Sequence, residues 1–465
     1  MEWHEAAADI GYEENTRMDE LAINVAGEWV AVGVWLDDFF SDEANGKIDS
    51  ISKQGCLALA QHGSMVWNHW RRLHPAKPYG HFHYENAADF SGIDFRRLKN
   101  ACGGDLTFAD FEFGDGVNFS NTQFRRYWEF DRAVFGERAD FSGAFIGARS
   151  SFKAARFERF TKFENVTFED WIDFDFAECG LDVSFAGSTF GACVRFNGVS
   201  FGPDITFDRC TFASGCCFET LRPERPESIG WAPYEPIHDS FNAISFKACT
   251  FQGEAIFKNR VFRDKACFDD SSFATPPDFS GCTLHQYVTF DGVEFPAPSG
   301  EQGAIRRYRT LKLAFNDLQA GHEEQRFFSL EMAEIAAAQK GHKKWLFDVY
   351  AKLSDYGMSI VRPATWYAIS FCVFALLYGL MSWVTYCFPE GSECIASSKW
   401  IEFSLLQAIP LPGLDKMVEA VWPVDVKARG VVSGLMTVLI ITQKLVSLLL
   451  LFFIGLALRN LFRFK

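Results

Sequence analysis

The chain carries no GxSxG nucleophile elbow, no GxxxxGK[ST] phosphate loop and no HExxH zinc helix. With no catalytic set in place, the sequence reads as a protein that is not an enzyme and uses no cofactor. Its 13 cysteines include no CxxC pair, which removes the usual signature of structural metal or dithiol chemistry. His74, His81 and His83 lie close together, yet no Cys or carboxylate stands beside them at ligand spacing, so no metal is expected. Cations are in the minority: 45 Lys and Arg against 60 Asp and Glu leave a net charge of -15. That balance argues against phosphate-backbone contacts, and no nucleic acid partner is expected. The first twenty residues are rich in Glu and Asp and lack the charged-then-apolar layout of a signal peptide, so the soluble part is expected to stay in the cytoplasm.

Phenylalanine is in excess, with 50 copies, and its spacing decides the fold class. From Phe108 a Phe returns every eleventh residue, at Phe119, Phe130, Phe141, Phe152, Phe163, Phe174, Phe185, Phe196, Phe207 and Phe218. A second apolar series follows five residues behind, at Phe113, Phe124, Phe135, Ile146, Phe157, Phe168, Cys179, Phe190, Phe201 and Phe212. Steps that alternate between five and six fit neither a helix of period 3.6 nor a strand of period 2, so the repeat itself is the architectural unit and the chain reads as a solenoid. Two residues before each large apolar position stands a mostly small or β-branched residue, as at Ala139, Ser150, Thr161, Val183, Val194, Ile205 and Cys216. Each short face thus points two residues inward.

The unit Ala139-Asp140-Phe141-Ser142-Gly143 resembles the A(D/N)(L/F)XX unit of the pentapeptide-repeat family, and the resemblance extends from about Ala88 to Pro296. It implies a right-handed quadrilateral β-helix. A sixth residue in alternate units departs from the plain pattern and implies coils of about 22 residues, with bulged corners taking up the excess. At about 4.8 Å per coil, roughly eight coils make a rod about 40 Å long around a ladder of Phe rings, a close-packed core with no ligand cavity. Cys210, Cys216, Cys249 and Cys282 fall on the small inward position, where a thiol serves as a compact apolar group. The lattice breaks over 221–240, a Pro-rich stretch, and resumes at Phe246. This insertion reads as a loop thrown from one corner. Its Trp231 and Tyr234 are partner-contact candidates, and a merely tolerated surface loop accounts for them equally well.

The organisation is then 1–87, an N-terminal cap; 88–298, the β-helix; 299–363, a helical cap and juxtamembrane linker; and 364–465, a transmembrane region. Residues 21–40 carry Glu28, Asp37 and Asp38, too many charges for a span, and belong to the cap. Trp67-Asn68-His69-Trp70-Arg71-Arg72 resembles the WNxWR stretch that precedes the first coil in this family, and reads as an aromatic plug over the open end of the Phe column. After Pro298, Ala304–Leu318 and Glu323–Lys340 show apolar residues at helical spacing and read as two amphipathic helices over the other end of the rod. The stretch from Trp345 to Arg362-Pro363 resembles the segment that joins repeats to spans in membrane-bound relatives.

Residues 364–388 contain no charge and have Trp and Tyr at both ends, long enough for a first span. A second runs over 430–458 and ends in Arg459, Arg463 and Lys465, which the positive-inside rule places in the cytoplasm together with the N-terminus. Between them, 400–413 is a half-length apolar stretch ended by Pro410, Pro412 and Gly413, suited to a re-entrant half-helix. The layout resembles that of two-span ion channels, without the TVGYG potassium filter. Gln443 and Lys444 fall midway along the second span, where a charge costs about 2.5–3.5 kcal/mol unless water or a partner relieves it. Lys444 either lines a water-filled path, where a ring of subunits would favour anions, or pairs with a neighbouring helix. Glu402 and Asp415 flank the half-helix as mouth residues or solvated interfacial ones. Cys387 and Cys394 lie in or beside the outward loop, close enough in sequence for a disulfide in an oxidising compartment.

Two functions follow. One is an oligomeric pore in the inner membrane, built from several copies around an axis and carrying a cytoplasmic sensor or assembly rod. The other is a membrane-tethered scaffold that contacts membrane lipid through its spans, binds a protein partner on the β-helix and does not conduct. A third comes from soluble acidic relatives that imitate duplex DNA and bind gyrase. The charge permits it and the spans disfavour it.

Overall fold

The computed structural model describes residues 22–25, 28–31, 53–79, 83–220, 240–383, 397–409 and 430–462. The chain divides into two compact units, Met1–Pro296 and Ala297–Lys465. Trp231, Tyr234, Cys387, Cys394, Pro410, Pro412, Gly413 and Asp415 lie outside the described residues.

The first unit begins with an antiparallel pair, β1 (Ala22–Val25) and β2 (Glu28–Ala31), followed by helices α1 (Lys53–Ala60) and α2 (Ser64–Leu73) and a second antiparallel pair, β3 (Lys77–Tyr79) and β4 (His83–Glu85). The plug expected from Trp67-Asn68 is present on α2. The Trp67 ring lies 5.6 Å from Phe90, 5.9 Å from Phe111 and 5.7 Å from Phe113, and its indole N–H donates to the Glu112 carbonyl at 2.9 Å. Asn68 donates to the Asp110 carbonyl and accepts from the Glu112 N–H at 2.8 Å, so its amide satisfies the open edge of the first turn as a neighbouring strand would. Arg71, buried beneath them, sits 4.7 Å over the Trp70 ring and donates to the Asn86 carbonyl at 2.7 Å. Burial lowers its guanidinium pKa to about 10.

One repeat explains the solenoid. Ala139 and Phe141 point inward and are fully buried; Asp140 between them accepts the Ser142 N–H at 2.8 Å, closing the turn, and Gly143 at φ 69° carries the chain round the corner. Non-glycine residues take the same left-handed conformation at most other corners of this series, as at Asp110, Asn121, Arg132, Ala154 and Asn165, eleven residues apart or a multiple of eleven. The extra residue of each six-residue step sits at a second left-handed corner, at Gly116, Tyr127, Arg138, Arg149, Phe160, Trp171, Asp182, Cys193 and Asp204. The longer step is therefore a corner.

Turn stacks on turn in parallel, with a 22-residue register such as Phe168 beside Phe190 and Cys179 beside Phe201. Four ladders are visited in each turn, and the longest holds seven strands, from Gln123–Phe124 to Ser272–Phe273. The solenoid thus has about seven turns, one fewer than the spacing alone suggests. Inside, Phe119, Phe141, Phe163, Phe185 and Phe207 stack ring on ring at 4.6–4.9 Å and meet the adjoining column edge-on, as Phe141 does Phe152 at 82°. Both arrangements are favoured by the ring quadrupole.

The small inward positions do more than fill space. Ser188, Cys210, Cys249, Ser271 and Cys282 each donate a side-chain bond to the carbonyl of a Phe in the turn below, at 2.5–3.0 Å. The cysteines therefore serve as weak donors as well as apolar filler. Burial raises the Cys179 and Cys282 thiols to about 12.

At the break, the turn that ends at Thr220 is followed by one that resumes at Ser240 in unbroken register: Thr250 pairs with Thr211 and Ile244 with Ile205. Arg260 fills the wall here. Fully buried, it donates to the carbonyls of Phe218 (2.6 Å), Val199 (3.0 Å) and Phe196 (3.1 Å), with its guanidinium carbon 5.0 Å over the Phe241 ring. It occupies the inward donor position of its turn with a longer arm.

The second unit is helical. α3 (Gln302–Asp317) and α4 (Gly321–Ala338) pack as a pair through Phe315 and Phe327, stacked at 5.5 Å. The buried Glu331 is offset by Arg309 at 2.7 Å and Lys312 at 2.6 Å, and Glu334 accepts the Ser299 and Gly300 N–H groups. α5 (Gly341–Ser354) ends at Asp355 in the left-handed region and leads into α6 (Val361–Ser382), α7 (Ser397–Ala408) and α8 (Gly430–Phe462).

Candidate membrane site

Among the described residues two helices are long and apolar enough to cross a membrane, over Val361–Met381 of α6 and Gly434–Asn460 of α8. Most of their outward residues are apolar: Ile369, Val373, Leu376 and Leu380 on α6, and Leu435, Val438, Ile441, Leu445, Leu448 and Phe452 on α8 are exposed. In water such surfaces are unstable, whereas hydrocarbon accommodates them.

α7 does not lie apart from these helices. Trp400 near its start stands over Gly379, Phe403 meets Tyr378 edge-on at 4.9 Å, Ser404 Oγ donates to the Phe371 carbonyl at 3.2 Å, and the Tyr367 hydroxyl donates to the Ala408 carbonyl at 2.9 Å. Partners that fall from 379 to 367 as α7 runs from 400 to 408 show that it descends antiparallel along α6 for about 12 Å, at 1.5 Å per residue of α7. The last bond also satisfies a carbonyl that the helix end leaves without an intrahelical donor. Phe374, Tyr378, Phe403 and Met436 form the core shared by all three helices.

The polar residues on these helices converge. Gln443 of α8 is buried, and its amide nitrogen donates to the Ser404 carbonyl at 2.9 Å and to Ser404 Oγ at 3.0 Å. Gln407, one turn along α7, and Ser447, one turn along α8, are buried as well. Oε1 of Gln443, Oε1 of Gln407 and the Tyr378 hydroxyl find no hydrogen-bond partner among the described residues. Ser404, Gln407, Tyr378 and Ser447 were not singled out by the sequence, although a polar residue every third or fourth position of an apolar helix is the available signal. Lys444, one residue beyond Gln443, is half-buried, and Glu402 is exposed on α7. Of the sequence candidates, the structure joins Gln443 to the half-helix and leaves Glu402 outside the contact.

Tyr127, Arg149 and Trp171 occupy one corner on successive turns; both aromatics are exposed, and the guanidinium carbon of Arg149 lies 5.6 Å from the Tyr127 ring centre. His74 stacks on Trp70 at 5.4 Å, which occupies its ring in packing. Among the described residues no group of three His, Cys, Asp or Glu is placed to hold a metal ion.

Compared with known proteins, the chain matches no family model, no curated sequence and no solved structure.

Proposed function

We propose that this membrane-tethered repeat protein is one subunit of an oligomeric pore in the inner membrane, with a pentapeptide-repeat rod of right-handed quadrilateral form as its cytoplasmic sensor or assembly domain. The observation that carries the reading is α7: a tether needs one span, whereas here a half-length helix runs beside two apolar helices and is held by the Gln443–Ser404 and Tyr367–Ala408 bonds. Lys444 lies on α8 beside that contact and is the residue assigned to the ion path; in a ring of subunits it favours anions. The protein has no catalytic role, cofactor or nucleic acid partner in this reading, and both termini face the cytoplasm. The 22-residue register and the Ala139–Gly143 turn support the family assignment of the rod. Purified protein in planar bilayers tests the reading: currents whose ion selectivity changes in Lys444→Leu support it, and silence from a correctly assembled oligomer across pH, voltage and tension refutes it.

One observation favours the scaffold instead. The exposed Tyr127 and Trp171 flank Arg149 on successive turns, the residue types that dominate binding hot spots. Under that reading a protein partner docks on this corner, Lys444→Leu is silent, and Tyr127→Ala with Trp171→Ala abolishes the association.

A further inference from the structure

α5 begins with a basic, partly apolar surface. From Ile335 to Phe347 there is no acidic residue, while Lys340, Lys343 and Lys344 fall within five positions and are all exposed, with Asp348 the acidic residue of this half of the helix. Beside them Trp345 and Leu346 are 62% and 56% exposed. With Val349 they stand at i, i+1 and i+4, one apolar stripe with Lys343, Lys344 and Asp348 beside it; the long lysine stems let the ammonium groups reach a headgroup layer above it.

The other half of α5 is anchored to the span ends. Tyr350 stacks on Phe453 of α8 at 5.6 Å, Arg362 at the start of α6 donates to the Ala351 carbonyl at 3.3 Å and pairs with Asp355 at 3.1 Å, and Asn460 donates to the Gly357 carbonyl at 3.2 Å. The exposed lysine–tryptophan half is thereby held where α6 begins and α8 ends, with Arg459 at the same end.

We propose that residues 340–349 form a docking surface for an anionic phospholipid leaflet, with Trp345 and Leu346 entering the interface and the three lysines contacting headgroup phosphates and carboxylates. This rests on reading α6 and α8 as membrane spans. Position and charge together select the occupant: the contacts of Tyr350, Arg362 and Asn460 hold α5 at the ends of α6 and α8, the level at which an anionic leaflet presents dense negative charge to its lysines. Each lysine near such a surface contributes about a fivefold bias toward it, so the three together contribute about a hundredfold.

Full-length protein in nanodiscs of phosphatidylcholine, with or without phosphatidylserine, is compared by hydrogen exchange. Amides of 341–350 are expected to exchange at least about tenfold more slowly in the anionic discs, with the protection removed by Lys340→Gln/Lys343→Gln/Lys344→Gln and by 1 M salt, where the screening length falls to about 3 Å. Residues 361–381 should stay equally protected throughout. Equal exchange of 341–350 in the two lipids, or protection reproduced by inorganic phosphate in neutral discs, overturns the lipid proposal and leaves the pore reading standing. Spans that exchange like an exposed loop overturn the membrane reading and this proposal together.

Discussion

Replacing Arg260 with alanine removes the guanidinium that closes the solenoid wall beside the turns that end at Thr220 and resume at Ser240. On other turns the same inward position holds small residues such as Ala133, Ala155, Ala177, Val199 and Cys282, of which Cys282 reaches the single carbonyl of Phe257. Arg260 makes bonds to the carbonyls of Phe218, Val199 and Phe196. A hydrogen bond from a charged donor is worth about 1.5–3 kcal/mol net, so full additivity would give about 5–9 kcal/mol. Water entering the vacated space restores part of this, and the expected loss is about 3–5 kcal/mol, the range for breaking a buried charged contact. Solenoid turns couple to their neighbours, so the loss should be local. Hydrogen exchange on full-length protein reads it: opening free energies at 196–218 and 241–262 should fall by that amount in Arg260→Ala, with residues 119–163 unchanged to within about 0.5 kcal/mol. Arg260→Lys, whose single ammonium cannot span three carbonyls, should fall between the two. A change below about 1 kcal/mol at these turns, or an equal change along the whole rod, would show that the arginine does not close the wall.

Phe152→Ala opens a void between Phe130 at 4.5 Å and Phe174 at 4.7 Å and should cost about 3–5 kcal/mol in denaturant unfolding; a loss under about 1 kcal/mol would mean the column repacks freely. Gln443→Leu removes two bonds to Ser404 and also an orphaned buried oxygen, so the half-helix should loosen by only about 1 kcal/mol, read as faster amide exchange over 397–408 with 361–381 unchanged. Burial holds the Cys179 thiol up at about 12 against an ordinary 9, so brief alkylation of the folded protein at pH 8 should mark the exposed Cys102 and spare Cys179. Because the folded thiol keeps its proton longer than the unfolded one, its contribution to stability is full below about pH 9 and declines as pH rises toward 12; stability rising over that window would contradict the burial.

The Phe lattice was legible because a solenoid writes its period directly into the sequence: each Phe stacks on the residue 22 positions away, so every turn repeats the same demand. Trp67 was legible for a related reason, since an open end of an aromatic column needs an aromatic cover. Arg260 was not. Its phase, two residues before Phe262, is inward, but a charge in that phase contradicts the pattern, and its acceptors lie 42, 61 and 64 residues away. On α8 the sequence drew attention to Gln443 and Lys444 together, because polar residues in an apolar run are conspicuous. The structure shows what Gln443 meets: Ser404, 39 residues away.

What the linear order determined by itself is the part governed by repetition and by runs: a coil of 22 residues, inward and corner positions, and two apolar stretches long enough to span. Periodicity and hydrophobic length act between near neighbours or identical turns, so they need no knowledge of distant contacts. What only the tertiary structure decided is which distant groups meet: Arg260 with three carbonyls of earlier turns, Asn68 with the first open edge, Gln443 with Ser404, and the Tyr350 ring with that of Phe453 near the end of α8. A buried polar group must find its partner wherever the chain happens to bring one, and that meeting is a property of the fold rather than of any local pattern.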